Sequence, residues 1–212
     1  MKGRGPSLRP LRGLLGTGFT LLEVLITLII LAIGMLGLAN LQSKIHVTEV
    51  ESYQRAHAVL LLQDMTDRIN ANRATQALTL YAGANSLGTD TDEDCNAATL
   101  AAVPITNGRR LAATDRCQWS NGLQGASEQR AGANSGGMIG ARGCVEEIQA
   151  PDSTTGVCTP GIYRVTVAWQ GLHATAAPAA GLACGKDLYG DDRMRRAIST
   201  TISIGVPRCA SP

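Results

Sequence analysis

Residues 18–43, GFTLLEVLITLIILAIGMLGLANLQS, decide the fold of this chain. The part that follows Glu23, residues 24–43, has no charged side chain, whereas the chain beyond Lys44 has the composition of a soluble protein. Roughly 20 helical residues at about 1.5 Å each span the ~30 Å hydrocarbon core of a bilayer. The sequence therefore predicts an apolar helix that can remain as a membrane anchor.

The charges of the chain are distributed unevenly. The first 18 residues contain Lys2, Arg4, Arg9 and Arg12 and no acidic residue. Without them the chain has 15 basic and 17 acidic side chains, a net charge of −2 instead of the +2 of all 212 residues. A basic segment before an apolar run is typical of a targeting sequence. A net charge this small argues against nucleic acid as a partner.

Three interpretations of this N-terminus are open. A secretory signal could be cut after Gly37-Leu38-Ala39, although Glu23 lies near the start of the apolar run and that run is long for a signal peptide. An uncut segment would form a plain membrane anchor. A lipoprotein start is excluded, because no cysteine lies near the segment. The third interpretation rests on a resemblance.

The boundary between the basic segment and the apolar run, GFTLLEVLI at residues 18–26, closely resembles the type IV prepilin signal. In proteins with that signal, a membrane peptidase cuts after the glycine and methylates the new N-terminus. The resemblance implies that residues 1–18 are a leader, that Gly18 precedes the cut, and that Phe19 becomes an N-methylated first residue. Glu23 would then be the fifth residue of the mature chain.

Glu23 is also unusual on physical grounds. A carboxylate on a membrane helix costs on the order of 2.5–3.5 kcal/mol or more, so it needs a partner. Among helices packed side by side with an axial offset, Glu23 could meet the N-terminal amine of a neighbouring subunit. We interpret it as an assembly ion pair that sets the register of a helical fibre. The alternative is a carboxylate that snorkels to the membrane interface.

The helix is predicted to continue beyond the membrane, because no proline occurs between Phe19 and Pro104 and the sequence becomes amphipathic after Leu41. One helix from residue 19 to about 72 would be roughly 80 Å long. Residues 19–43 would form its transmembrane and fibre-core half, and residues 44–73 its amphipathic half. Helical spacing predicts two apolar sets and two ion pairs in the second half: Tyr53, Ala56 and Leu60; Leu62, Met65 and Ile69; Glu51–Arg55; and Asp64–Arg68.

Gly34, Gly37 and Asn40 weaken the helix near the end of its apolar half, glycine by about 1 kcal/mol relative to alanine. Such flexibility would permit local unwinding when a subunit leaves the bilayer for a fibre. Small residues also allow helices to pack closely. Both interpretations stay open.

A narrower resemblance comes from IGMLGLANLQ at residues 33–42 and LQDMTDRINANR at residues 62–73. Together with the prepilin signal, these stretches are similar to the PilV family of type IV minor pilins, the type IV pilus modification proteins, over residues 18–73. The small pseudopilin of type II secretion shares the apolar start and is the nearest alternative. A membrane-anchored periplasmic binding protein or enzyme is the second alternative.

The resemblance implies a non-enzymatic subunit without a cofactor. Its anchor would lie in the bacterial inner membrane with the head in the periplasm, and the subunit would become extracellular on assembly into the pilus. The implied partners are other minor pilins, the major pilin, the prepilin peptidase, the inner-membrane assembly platform and a tip adhesin. The implied roles are priming of pilus assembly in a tip complex, adhesion and twitching motility.

Residues 74–212 are predicted to form an α+β head, because helical periodicity fades after Ala74 and strand alternation appears. The fold class is a pilin-like one, in which a long N-terminal helix packs against a C-terminal antiparallel sheet. Loops 120–143 and 170–192 are long enough to be functional or mobile. The predicted strand faces are Tyr163, Val165, Val167 and Trp169; Ile198, Thr200, Ile202 and Ile204; and a weaker candidate at 145–148.

The head contains all six cysteines: Cys95, Cys117, Cys144, Cys158, Cys184 and Cys209. An even number after a membrane-targeting segment predicts an oxidising compartment and up to three disulfides. We expect sequential pairing, Cys95–Cys117, Cys144–Cys158 and Cys184–Cys209. A zinc site is not expected, because neither CxxC nor HxxxH spacing occurs.

The acidic run at residues 90–94, DTDED, has the opening of a calcium loop. Cys95 stands where such a loop needs glycine, and Ala101 where it needs glutamate. We therefore expect a solvated acidic loop and no metal site. Catalytic motifs such as GxSxG and HExxH do not occur in the sequence, so no catalytic residue is predicted.

Overall fold

The computed structural model describes residues 18–83, 86–91, 93–126, 128–134, 136–154 and 157–205. The chain divides into two units, one up to His46 and one from Val47 onward. Helix α1, Leu21–Ala71, is a continuous helix of 51 residues. The predicted helix over residues 19–72 is confirmed to within two residues at its start and one at its end.

The second unit adds short helices and an antiparallel sheet to the end of α1. Four strands form one sheet in the order β1-β4-β5-β6, and β2 pairs with β3. All strand pairs are antiparallel, which is the predicted α+β, pilin-like architecture. In chain order the elements are α2 (Thr75–Tyr81), β1 (Leu87–Gly88), α3 (Ala97–Ala102), α4 (Arg109–Leu123), β2 (Gln129–Arg130), β3 (Ala133–Asn134), β4 (Arg142–Gln149), β5 (Gly161–Gln170) and β6 (Arg195–Ile204).

The strands lie where the sequence alternates. The candidate at 145–148 is part of β4, and Ile198 and Ile202 of β6 pack against the edge of the core, where Ile204 is buried. The predicted inner face of β5 is buried throughout: Tyr163, Val165, Val167 and Trp169.

The second half of α1 contributes a buried stripe with helical spacing: Gln54, Ala58, Leu62, Met65 and Ile69. The predicted set Leu62, Met65 and Ile69 is confirmed. The predicted set Tyr53, Ala56 and Leu60 is wrong, because it lies on the exposed side, where Tyr53 is 59% and Leu60 61% exposed. The polar Gln54 and the small Ala58 face the core instead.

Of the two predicted ion pairs on α1, one is present. Arg68 Nε lies 2.9 Å from Asp64 Oδ1. Within the described residues Glu51 does not pair with Arg55. Its Oε1 accepts hydrogen bonds from Arg196 Nη2 at 3.1 Å and from the Leu172 backbone N–H at 3.0 Å. Glu51 therefore joins α1 to β6 and to the segment that follows β5.

Helix α4 is the largest element that the sequence analysis missed. Its buried side mixes polar and apolar residues: Ala112, Asp115, Arg116, Cys117, Trp119, Ser120 and Leu123. Hydrophobic spacing therefore does not reveal it, and loop 120–143 begins inside this helix. Trp119 packs on β4 because Gly143 has no side chain. A Cβ at Gly143 would lie 2.7 Å from Leu123 Cδ1 and still closer to the Trp119 ring.

Two disulfides join described residues, Cys95–Cys117 and Cys144–Cys184. The first was predicted. The second overturns the expected pairs Cys144–Cys158 and Cys184–Cys209, because the segment after β5 folds back until Cys184 lies beside β4, with Cα atoms 5.8 Å apart. Cys158 is also disulfide-bonded, and Cys209 lies outside the described residues.

The segment between β5 and β6 is held at several points. Arg195, which is 1% exposed, pairs with Asp192 at 2.6 Å and donates to the carbonyl oxygens of Leu182 (2.7 Å) and Cys184 (3.1 Å). The hydroxyl of Tyr189 donates to the Gly140 carbonyl oxygen at 2.8 Å, and burial raises the pKa of Tyr189 to about 12. Loop 170–192 is therefore anchored to the sheet.

Candidate processing site and assembly helix

Thr20 caps the start of α1. Its backbone oxygen accepts hydrogen bonds from the N–H groups of Glu23 (3.1 Å) and Val24 (3.3 Å), and its Oγ1 accepts from the Glu23 N–H at 3.3 Å. A hydroxyl in this position satisfies a donor that a helix otherwise leaves free at its N-terminus. The sequence analysis missed Thr20, although Thr-x-x-Glu is the signature of a capping box.

The cap leaves Gly18 and Phe19 outside the helix. The Phe19 side chain is 82% exposed, and among the described residues beyond its chain neighbours no atom lies within 4 Å of the position that a Cβ on Gly18 would take. Proteases preferentially cut exposed backbone outside regular structure. The predicted cleavage and methylation positions are therefore accessible. Residues 1–17 of the predicted leader lie outside the described residues.

The first half of α1 has an unusual surface for a folded chain. Every residue from 18 to 46 is exposed, including large apolar side chains such as Leu21 at 91% and Leu36 at 72%. By length and composition α1 can cross a membrane. A contiguous apolar surface of this extent marks a contact with a membrane or with other proteins.

Glu23 is the one charged residue of α1 before Lys44. Within the part of the chain that the structure describes, no cation pairs with its carboxylate. A carboxylate surrounded by lipid or apolar protein costs on the order of 2.5–3.5 kcal/mol or more. When this half of α1 is embedded, Glu23 needs a cationic partner, either the Phe19 amine of the cleaved chain itself or a group of a neighbouring molecule.

Gly34, Gly37 and Asn40 lie inside α1 without interrupting it. Apart from the neighbouring backbone of α1 itself, no atom of the described residues lies within 4 Å of the Cβ positions of the two glycines, so another helix can approach their backbone closely. The two glycines also lower the intrinsic stability of the helix at these positions. Flexibility and close packing both remain predictions for these three residues.

A known sequence motif coincides with this helix start. Residues 17–39 match the family model described as the prokaryotic N-terminal methylation motif. This motif supports a pilin or a pseudopilin, and the matched residues include Gly18, Phe19 and Glu23. No significant match was found among curated proteins or among solved structures.

The motif and the helix together fit a membrane-anchored pilin. A pilin-type motif implies, in general, processing by a prepilin peptidase and assembly with other pilins. It also indicates a structural protein rather than an enzyme. The exposed apolar half of α1 provides the surface that anchoring and assembly require.

The other end of α1 is held in the head by a buried polar cluster. Asp115 on α4, which is 6% exposed, accepts hydrogen bonds from Arg68 Nη1 at 2.8 Å and from the Tyr81 hydroxyl. Burial lowers the pKa of Arg68, but hydrogen bonds to Asp64 and Asp115 and their charges outweigh it, so this pKa is raised. Burial and the bond to Asp115 raise the pKa of Tyr81.

Asn72 extends this contact, since its Nδ2 donates to the Gly108 carbonyl oxygen at 2.8 Å. Arg68 and Asn72, two polar residues of the stretch at 62–73, thus hold the end of α1 against α2 and α4.

Replacement of Asp115 by alanine should lower the free energy of unfolding by about 2–3 kcal/mol, because the buried Tyr81 hydroxyl loses its acceptor and the half-buried Arg68 loses one of its two carboxylate partners. Chemical denaturation of the full chain in a non-ionic detergent, followed by tryptophan fluorescence, measures this. Asp67→Ala is the matched control, since Asp67 is exposed on α1 and should change stability by less than about 0.5 kcal/mol. Equal effects of the two substitutions would contradict the role of Asp115 in holding the end of α1 in the head.

Acidic side chains of the run at residues 90–94 form ion pairs and hydrogen bonds with other residues of the chain. Asp90 pairs with Arg142 at 3.2 Å and Glu93 with Arg116 at 3.1 Å. Asp94 accepts hydrogen bonds from the Thr99 hydroxyl and from Asn96, and these lower its pKa. Asp92 lies outside the described residues. Among the residues that are described, no cluster of three or more metal-ligating side chains occurs.

Proposed function

We propose that this chain is a minor pilin of a type IV pilus, of the PilV kind. The observation that carries the proposal is the match to the methylation motif at residues 17–39, placed on an accessible Gly18–Phe19 bond directly before a capped helix with an exposed apolar half. The folded α+β head and its disulfides agree with a subunit that works outside the cytoplasm.

The proposed maturation begins in the bacterial inner membrane. The prepilin peptidase removes residues 1–18 and methylates Phe19, while residues 19–43 hold the subunit in the bilayer with its head in the periplasm. The assembly platform then moves the subunit into the fibre, where it contacts the major pilin and other minor pilins. Residues 44–73 attach this anchor to the head at 74–212.

The proposed place of the subunit is in a priming or tip complex that supports adhesion and twitching motility, in contact with a tip adhesin. Glu23 would pair with the N-terminal amine of another pilin, which requires a subunit ahead of it. This argues against the outermost position in the fibre. The support for the PilV kind is the resemblance over residues 18–73.

A minor pseudopilin of a type II secretion system is the second candidate, because the methylation motif and the apolar helix start are common to both families. Deletion of the gene separates the two. Loss of surface pili with normal protein secretion would support the pilin, and loss of secretion with normal pili would support the pseudopilin.

Mass spectrometry of the mature N-terminus tests the proposed processing. We expect a chain that begins with N-methylated Phe19, because the Gly18–Phe19 bond is accessible and lies in the matched motif. In cells that lack the prepilin peptidase, the uncut chain should accumulate. A chain that begins at Asn40 would identify a secreted protein, and an uncut chain in the presence of the peptidase a plain membrane anchor. Either result would overturn the proposal.

A further inference from the structure

A half-open cavity of about 290 Å³ lies between the second half of α1 and the sheet. Its walls combine two arginines, one carboxylate, two hydroxyls and one indole, and the residues are Thr48, Glu51, Ser52, Arg55, Trp169 and Arg196. Pockets that bind small groups combine an enclosed shape with a few convergent polar groups. This volume is close to the lower end of the usual range for such pockets, so the occupant must be small.

Arg196 is fixed in the wall of this cavity. Its Nη2 donates to Glu51 Oε1 at 3.1 Å and to the His173 carbonyl oxygen at 2.7 Å, and its Nη1 donates to the Arg193 carbonyl oxygen at 3.1 Å. Gly171 makes room for it, since a Cβ there would lie 2.5 Å from Arg196 Cζ. A guanidinium has five N–H donors, so two N–H groups of Arg196 are not engaged by these three bonds.

Arg55 supplies donors that the protein itself does not use. Within the described residues its guanidinium forms no ion pair or hydrogen bond, because its expected partner Glu51 is engaged by Arg196. The Ser52 hydroxyl likewise has no partner among these residues. The cavity is therefore lined by one guanidinium without a partner among the described residues and by one that the protein holds with hydrogen bonds.

The charges select the class of occupant. With His173, whose Nδ1 lies 3.3 Å from Glu51 Oε1, in its neutral form, the two guanidinium groups and the Glu51 carboxylate give a net charge of +1, which one monoanion neutralises and a dianion exceeds. A sugar ring has no aromatic face to stack on, since Trp169 is 3% exposed. We propose that this cavity binds a single carboxylate group, held by Arg55 and Arg196.

The two tryptophans of the chain provide the measurement. The Trp169 indole N–H is buried and has no acceptor in the part of the chain that the structure describes, so its resonance should respond to a charge that enters the cavity. The Trp119 indole N–H donates to the Leu61 carbonyl oxygen at 2.8 Å and is the internal reference. The experiment is a titration of the ¹⁵N-labelled full chain in a non-ionic detergent with acetate, followed by the two indole signals.

Acetate should shift the Trp169 signal saturably and leave the Trp119 signal in place, whereas neutral acetamide should shift neither. Arg55→Gln should weaken acetate binding tenfold or more, because a charge-assisted hydrogen bond is lost. Arg73→Gln, at an exposed arginine outside the cavity wall, should have no effect. Absence of a saturable shift, an equal response to acetamide, or full binding by Arg55→Gln would overturn the proposal.

The carboxylate could belong to a small acid or to an acidic side chain of another protein. N-acetylglutamic acid α-amide separates these sources, because it presents a side-chain carboxylate on a peptide unit. Binding at least tenfold tighter than that of acetate would indicate a protein side chain. Equal affinity would indicate a small acid. The titration does not depend on the function proposed above, so its failure would leave that proposal in place.

Discussion

Replacement of Glu23 by alanine should lower the amount of this subunit in sheared fibres tenfold or more, while removal of the leader continues. The carboxylate stands alone in the apolar half of α1, and no cation among the described residues pairs with it. An ion pair with the N-terminal amine of a neighbouring pilin would add a charge-assisted hydrogen bond, worth roughly 1.5–3 kcal/mol. Quantitative immunoblotting of the sheared and membrane fractions measures the ratio.

Glu23→Gln is the matched variant, because it keeps the shape and the hydrogen-bonding capacity of the side chain and removes its charge. It should behave like the alanine variant. Thr27→Ala is the control on the same half of the helix, since Thr27 donates only to the Val24 carbonyl oxygen within its own helix. Normal incorporation of Glu23→Gln would show that the carboxylate does not act through an ion pair.

Removal of the Cys144–Cys184 disulfide should lower the free energy of unfolding of the head by about 4 kcal/mol in the chain-entropy model. The bond closes a loop of 40 residues between β4 and the segment after β5. The expected local pair, Cys144–Cys158, would have closed a much shorter loop and contributed roughly 1 kcal/mol less. Denaturation of the double variant Cys144→Ser/Cys184→Ser in a non-ionic detergent measures the loss.

The pairing itself can be tested without any substitution. Peptide mapping under non-reducing conditions should link the fragment that contains Cys144 to the one that contains Cys184. A link from Cys144 to Cys158 would contradict the structure. The double variant Cys95→Ser/Cys117→Ser is the control for stability, and its loop of 22 residues should give a somewhat smaller loss, about 3.4 kcal/mol.

Most of the helix and the strands could be predicted from sequence, because the spacing of apolar residues within each segment is enough to indicate its secondary structure. The apolar run after Glu23, the set Leu62, Met65 and Ile69, and the alternation along β5 all matched the structure. Helix α4 could not be found in this way, since Asp115 and Arg116 occupy its buried side. These two charged side chains can be buried because Asp115 pairs with Arg68 and Arg116 pairs with Glu93, and both partners lie far away in sequence.

The sequence by itself determined the N-terminal signal, the apolar helix and the isolated charge of Glu23, because composition and spacing along one segment suffice for each. Tertiary structure alone decided which side of α1 is buried beyond residue 50, where Gln54 and Ala58 replace Tyr53 and Leu60. It also decided the partners of Cys144 and Glu51. These partners lie 40 and 145 residues away along the chain. The return of the segment after β5 to β4 brings the two cysteines together, and the packing of the sheet against α1 brings Arg196 to Glu51.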